Sequence, residues 1–147
     1  GGFISCGEKH AILWTSHKGA LRQTEIKLGP HRNKMLLSAC SLVGGLACLS
    51  TSEGDLVVVS GSKVVPADIR HSEGVHCKRA VNALWSSNDG TVLVSGDRDG
   101  KVVVWRVGVV PAKEGSTAEL SCCAEFTLSG YSTTVEVEGG LNMATSE

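Results

Sequence analysis

Short apolar segments rich in valine and leucine alternate along the chain with clusters of glycine, serine, aspartate and asparagine. Apolar runs bounded by turn residues are typical of β-strands, and no stretch shows the 3.6-residue period of a helix. The predicted strands lie at 3–6, 11–15, 21–28, 35–42, 46–51, 55–60, 63–69, 80–85, 91–95, 101–107, 120–128, 133–138 and 141–146. The pattern therefore predicts an all-β protein.

The predicted strands recur at a regular interval. When AILW, LVVV and KVVVW are aligned by their ends, Trp14, Val59 and Trp105 occupy one column, at steps of 45 and 46 residues. The TSE triplets at 51–53 and 145–147 lie 94 residues apart, close to two periods. A repeat of this length that holds four short strands is typical of a WD-repeat β-propeller.

The repeat also predicts how the chain is divided into blades. We expect a partial blade with strands b–d at 1–28, a blade at 35–69, a blade at 79–128 with a long c–d loop at 108–119, and a partial blade with strands a–b at 133–147. This amounts to about three four-stranded blades, two complete and two partial. Closed propellers have ~4–8 blades, so the chain is predicted to be part of a longer propeller and to pack against its remainder.

The unit at 71–107 preserves the repeat best and resembles the WD-repeat pattern. In that family a histidine, a serine, an aspartate and a tryptophan form a hydrogen-bonded network inside each blade. The resemblance assigns Ser95, Asp99 and Trp105 to this network, with either His71 or His76 as the histidine. Buried carboxylates need several hydrogen bonds, so Asp99 is expected to be well paired.

Other aromatic and acidic positions follow from the same alignment. Trp14 is expected in the core of the first blade, and Asp97 is expected to be solvated. Because Val59 replaces the tryptophan in the second unit, that blade should be held mostly by apolar packing. Trp85 fits either a packed or an exposed position.

The opening stretch GGFISCGEKHAILWT resembles the F-x-x-C-G-x-x-H-x-x-F/L-W-T motif of the echinoderm microtubule-associated protein-like family. The matching residues are Phe3, Cys6, Gly7, His10, Leu13, Trp14 and Thr15. GALRQTEIKLG and SGDRDGKVVVW keep the family's order and spacing, so the resemblance covers roughly residues 3–107. It implies a scaffold protein that associates with microtubules, with tubulin as the expected partner. The implied location is the cytoplasmic cytoskeleton, or the axoneme of a cilium or flagellum.

Charge along the chain is uneven. Residues 17–34 contain five basic residues and one glutamate, whereas the chain from Glu114 onward contains six glutamates and no basic residue. The basic residues are Lys18, Arg22, Lys27, Arg32 and Lys34. We call these five residues the basic strip. It could steer the protein towards an acidic partner such as tubulin. The alternative is an edge strand whose lysines discourage edge-to-edge pairing.

Composition narrows the function classes further. The 147-residue chain has a formal net charge of −1 and a sequence pI near 6.6, which disfavours a nucleic-acid partner. No apolar run approaches a membrane span, so no membrane partner is expected. The six cysteines are irregularly spaced and form no C-x-x-C motif, which favours a reducing intracellular compartment.

Three kinds of chemical site were considered. A calcium loop starting at Ser95 would need a glutamate at its twelfth position, where Arg106 stands. A nucleophile at Cys77, or a zinc site made from His71, His76 and Cys77, lacks the rest of a recognisable constellation. The sequence therefore predicts no catalytic, metal or cofactor site, and a non-enzymatic interaction scaffold. The alternatives are a WD-repeat scaffold of another assembly, in ciliary transport or signalling, and a propeller-fold enzyme.

Overall fold

The computed structural model describes residues 1–71, 76, 78–113, 115–128, 134–137 and 141–145. Within these residues the chain forms a row of antiparallel sheets with only two single-turn 3-10 helices, Gly29–His31 and Val43–Gly45. No described helix is long and apolar enough to cross a bilayer. The strand-and-turn pattern of the sequence is thus confirmed as an all-β fold.

Successive stretches of chain form successive sheets. The first sheet contains β1 (Gly2–Gly7), β2 (His10–His17) and β3 (Ala20–Glu25), in that order. The second contains β4 (Leu36–Ser41), β5 (Leu46–Thr51), β6 (Leu56–Ser60) and β7 (Lys63–Val64), also in chain order. We refer to these sheets as blades 1 and 2.

Blade 3 is a sheet of five strands. Its members are β8 (Ala67–Arg70), β9 (Val81–Ser86), β10 (Val92–Asp97), β11 (Lys101–Ala112) and β12 (Gly115–Thr127), in the spatial order β8-β12-β11-β10-β9. A further antiparallel pair is formed by β13 (Thr134–Val137) and β14 (Leu141–Thr145).

Blade 2 is covered on both faces, which explains its continuous apolar strands. Residues 46, 48, 56 and 58 pack into one core cluster with Leu93, Val103 and Trp105 of blade 3. Residues 49, 57 and 59 pack into a second cluster with Ala11 and Ile26 from blade 1 and the segment after it. Side chains alternate across a strand, so neighbouring valines of β6 enter opposite cores.

Two features of the predicted blade boundaries need correction. The segment 63–69, predicted as one strand of blade 2, splits into β7 and β8, and β8 pairs in parallel with β12 of blade 3. The predicted loop at 108–119 is instead strand, because β11 and β12 pair from Lys101–Thr127 to Ala112–Gly115, with one β-bulge between Val104 and Trp105. Of the added strand residues, Ala118 enters the core between blades 2 and 3.

The two outer faces of this row expose large apolar side chains. On blade 1, the Phe3 ring is 55% exposed and stacks on Trp14 with 5.9 Å between ring centroids. On blade 3, Trp85 is 58% exposed and lies opposite Val94 in the register of β9 and β10. Both faces therefore have the composition of an interface between blades rather than that of a solvated surface.

Candidate functional site

Four buried side chains form a hydrogen-bonded chain across blade 3. Trp105 Nε1–H donates to Ser95 Oγ (2.9 Å), and the Ser95 hydroxyl reaches His76 Nε2 (2.7 Å). His76 Nδ1 lies 2.8 Å from Asp97 Oδ2. The backbone N–H groups of Asp99 and Lys101 donate to Asp97 Oδ1, at 2.9 and 3.0 Å. We call His76, Ser95, Asp97 and Trp105 the blade network.

One arrangement of protons satisfies every member of the blade network. Trp105 donates to Ser95, Ser95 donates to the bare Nε2 of a neutral His76, and His76 donates from Nδ1 to Asp97. Burial lowers the pKa of His76, and its hydrogen bond to Asp97 offsets this only in part. Burial acts to raise the pKa of the Asp97 carboxyl, but the hydrogen bonds from His76, Lys101 and Asp99 outweigh it and the pKa is lowered. His76 is therefore a neutral imidazole beside the ionised carboxylate of Asp97.

The carboxylate of the network belongs to Asp97, and the assignment to Asp99 was wrong. Asp97 is 8% exposed, whereas the Asp99 side chain is 47% exposed and pairs with Arg79 at 3.0 Å. The end of β10 explains the difference. Leu93, Ser95 and Asp97 lie on this strand and face the core between blades 2 and 3, whereas Asp99 lies in the turn that follows the last strand residue. Strand alternation gives both aspartates the same parity, so the sequence alone did not separate them.

Of the two candidate histidines, the structure places His76 in the network. His71 instead contacts Glu125 on β12, and its ring lies tilted against Trp105 with 5.9 Å between centroids. Glu125 also forms an ion pair with Lys101, whose Nζ lies 2.8 Å from Glu125 Oε1. His71 therefore packs beside the blade network without joining its hydrogen-bond chain.

The order Ser95–His76–Asp97 is also the order of hydrogen bonds in a serine-hydrolase triad. Here, however, Ser95 is 0% and His76 1% exposed, and Ser95 Oγ already accepts the Trp105 N–H. A nucleophile must reach its substrate, and these atoms are sealed between blades 2 and 3. The arrangement is suited to holding a turn and two strands together rather than to acyl transfer.

The equivalent positions of the other blades show how the network varies. In blade 1, Trp14 Nε1–H donates to Ser5 Oγ at 2.9 Å, which repeats the Trp105–Ser95 pair. In blade 2 the same columns hold Leu49, Thr51 and Val59, all at most 1% exposed. Blade 2 therefore has apolar side chains in the tryptophan and serine columns, as Val59 predicted, whereas Thr51 keeps a polar group whose hydroxyl donates to Asp55 Oδ2 at 2.6 Å.

The basic strip is mostly exposed. Lys18 lies in the β2–β3 turn, Arg22 on β3, and Lys27 and Arg32 on the segment that follows, all exposed. Lys34 differs, because its Nζ pairs with Asp55 at 2.8 Å and with Glu53 at 3.2 Å. The hydrogen bond that Lys34 donates to Asp55 raises the pKa of Lys34, so the ammonium group stays charged and is paired with carboxylates of blade 2.

The chain is similar to known proteins, although no protein-family model matches it. Echinoderm microtubule-associated protein-like 2 from Homo sapiens is 30% identical over 105 residues, which is 69% of this chain and 15% of that protein. The Mus musculus protein of the same name has the same identity and coverage. The chain thus spans about 15% of the length of these curated relatives.

Among solved structures, the β-propeller domain of Cps50 (Swd1) from Myceliophteria thermophila matches with a TM-score of 0.66 at 13% identity. The match covers 86% of this chain and 41% of that chain. This chain is a WD-repeat β-propeller that resembles the echinoderm microtubule-associated protein-like family.

Proposed function

We propose that this WD-repeat propeller is a non-catalytic scaffold that associates with microtubules in the cytoplasmic cytoskeleton. The observation that carries the proposal is the 30% identity, over 105 residues, to echinoderm microtubule-associated protein-like 2. The name of that relative refers to microtubules and to neither cilium nor flagellum, so an axonemal location stays a prediction. A scaffold role is favoured over catalysis because the Ser95–His76–Asp97 chain is sealed from solvent.

The basic strip is the surface proposed to contact the microtubule. Exposed cations lie in the turn before the edge strand β3, on that strand and on the segment that follows it. They are Lys18, Arg22, Lys27 and Arg32. Tubulin is acidic, and complementary charge accelerates encounter and selects partners. Lys34 is removed from this surface, because its ammonium group is held by Asp55 and Glu53.

Co-sedimentation of the full-length protein with microtubules tests the proposal. We expect the wild-type protein to pellet with microtubules, less so at high salt or after the acidic tubulin tails are removed. The combined substitution Lys18→Glu, Arg22→Glu and Arg32→Glu should weaken binding roughly tenfold or more, because exposed cations become anions.

The matched control is Lys113→Glu, which reverses one exposed charge at the tip of the β11–β12 hairpin. It should leave binding unchanged. Failure of the wild-type full-length protein to pellet would overturn the microtubule proposal. Equal weakening by the control and the triple variant would overturn the assignment of the contact to the basic strip.

A further inference from the structure

Blade 3 brings together three side chains whose atoms are ordinary ligands of transition metals. They are His71, Cys122 and Glu125, and one ligand atom from each lies within 4.8 Å of the others. His71 follows β8, whereas the other two residues belong to β12. The parallel pairing of β8 with β12, from Ala67–Ala118 to Arg70–Ser121, is what makes these distant residues neighbours.

The geometry suits a small cation. With Zn–N and Zn–O bonds of about 2.0–2.1 Å and a Zn–S bond of about 2.3 Å, tetrahedral ligands lie about 3.3–3.6 Å apart. The three ligand atoms lie within 4.8 Å of one another and are close enough to share one ion once the direct contact between His71 and Glu125 opens. The side chain of His71 is 6% exposed and that of Glu125 is 35% exposed, so the cluster is seated in the sheet but open on the Glu125 side.

Neighbouring groups hold the carboxylate in a suitable orientation. Lys101 Nζ lies 2.8 Å from Glu125 Oε1, while the other carboxylate oxygen, Oε2, faces His71. One oxygen of Glu125 is thus fixed by the lysine, and the second is directed towards the imidazole and the cysteine. Groups that orient a metal ligand in this way typically increase metal affinity.

We propose that His71, Cys122 and Glu125 form a Zn²⁺ site that ties the crossing strand β8 to blade 3. The three protein ligands would be the imidazole Nε2, the thiolate Sγ and carboxylate Oε2, with water in the fourth position. The combination of nitrogen, sulfur and oxygen donors favours Zn²⁺ over Mg²⁺ or Ca²⁺, which prefer oxygen ligands. This proposal is independent of microtubule association.

This site differs from the one that the sequence suggested and rejected. His76 is committed to Ser95 and Asp97, and Cys77 lies outside the described residues. Cys122 and Glu125 are more than fifty positions along the chain from His71. Only the strand that crosses from blade 2 to blade 3 brings the ligands together.

The test uses the full-length protein, stripped with a chelator and titrated with Zn²⁺ against a competing colorimetric chelator, and separately with Co²⁺. We expect Co²⁺ to give the near-ultraviolet thiolate-to-metal charge-transfer band and the visible spectrum of a tetrahedral ion. Cys122→Ser should abolish the charge-transfer band, and both it and His71→Ala should remove one equivalent of bound Zn²⁺ or weaken its binding more than about tenfold.

Cys123→Ser is the matched control. Cys123 is exposed and is the extra residue of the β-bulge between the pairs Val104–Ala124 and Trp105–Cys122. It should retain the full stoichiometry and the band. Glu125→Gln keeps the shape of the side chain and leaves the two more buried ligands, His71 and Cys122, unchanged. It should weaken Zn²⁺ binding about tenfold.

Two results would overturn the proposal. One is a wild-type protein without the Co²⁺ charge-transfer band and without Zn²⁺ binding at micromolar concentration. The other is a band that persists in Cys122→Ser or disappears in Cys123→Ser.

Discussion

At the scale of single residues, the fold of blade 3 depends on a few polar atoms buried between apolar neighbours. Asp97 accepts three hydrogen bonds, from His76 and from the backbone of Asp99 and Lys101. These bonds connect the turn after β10 to Ser95 and, through it, to Trp105. Asp99, two positions later, makes only solvent-exposed ion pairs, with Arg79 and Arg98. The two aspartates therefore contribute very differently to the stability of blade 3.

Substituting the two aspartates separately measures that difference. Asp97→Ala should lower the free energy of unfolding by about 2–4 kcal/mol, because it leaves buried donors without an acceptor. Asp99→Ala should change it by less than about 0.5–1 kcal/mol, since exposed ion pairs contribute little. Chemical denaturation of both variants beside the wild-type protein provides the comparison. Similar effects of the two substitutions would show that Asp97 is not the carboxylate that holds the turn.

At the scale of elements, neighbouring blades are joined by direct backbone contacts as well as by their apolar faces. Val43 N–H donates to the carbonyl of Gly90 at 2.9 Å, and Ser50 Oγ–H donates to the carbonyl of Val81 at 2.8 Å. Gly90 has φ +70°, and a Cβ there would lie 2.3 Å from the Val43 nitrogen. The turn between β9 and β10 thus approaches blade 2 more closely than any residue with a side chain allows.

An alanine at that turn should be costly. Gly90→Ala meets both a positive φ and backbone atoms that cannot move aside, whereas Gly61→Ala meets a positive φ (+57°) in open space. We expect Gly90→Ala to lower the free energy of unfolding by about 1–3 kcal/mol more than Gly61→Ala. Thermal or chemical unfolding of the two variants measures this, and equal destabilisation would contradict the close contact between blades 2 and 3.

At the scale of the whole molecule, the row of sheets has an apolar face at each end. Phe3 and Trp14 lie on one end, and Trp85, Val94 and Phe126 lie on the other. Trp14 and Trp105 occupy one column, and Trp105 faces the preceding blade. The solved propeller that this chain matches is more than twice as long as the matched part. These observations support our proposal that further blades pack on both ends in the full-length protein.

Trp85 provides the test of that proposal. In the full-length protein Trp85→Ser should lower the melting temperature by several degrees, equivalent to about 2–4 kcal/mol, because Trp85 would then be a core residue between blades. Val110→Ser is the control, since Val110 is 41% exposed on the part of β11 beyond its pairing with β10. If both variants melt like the wild-type protein, Trp85 faces solvent in the whole protein too.

The sequence by itself determined the strands and the repeat. The run LVVV is apolar at every position, and both faces of its strand are covered. The spacing of Trp14, Val59 and Trp105, at steps of 45 and 46 residues, marks the repeat. It also placed an aspartate after Ser95 in the blade network, but the family pattern pointed to Asp99, and only the end of β10 at Asp97 shows which aspartate is buried. Val59, which stands in the tryptophan column, likewise predicted that blade 2 is held mostly by apolar packing.

The tertiary structure decided what depends on pairing between distant segments. Whether 67–70 pairs with blade 2 or with blade 3 cannot be read from its composition, because a short strand fits any open edge of suitable register. That choice brings His71 to Cys122 and Glu125. The tertiary structure also pairs Lys34 with Asp55, and it extends β11 and β12 into a hairpin where a loop was predicted. Local patterns specify strands and faces, whereas the partner of an edge is set by the free energy of the assembled sheet, to which residues far apart in the chain contribute together.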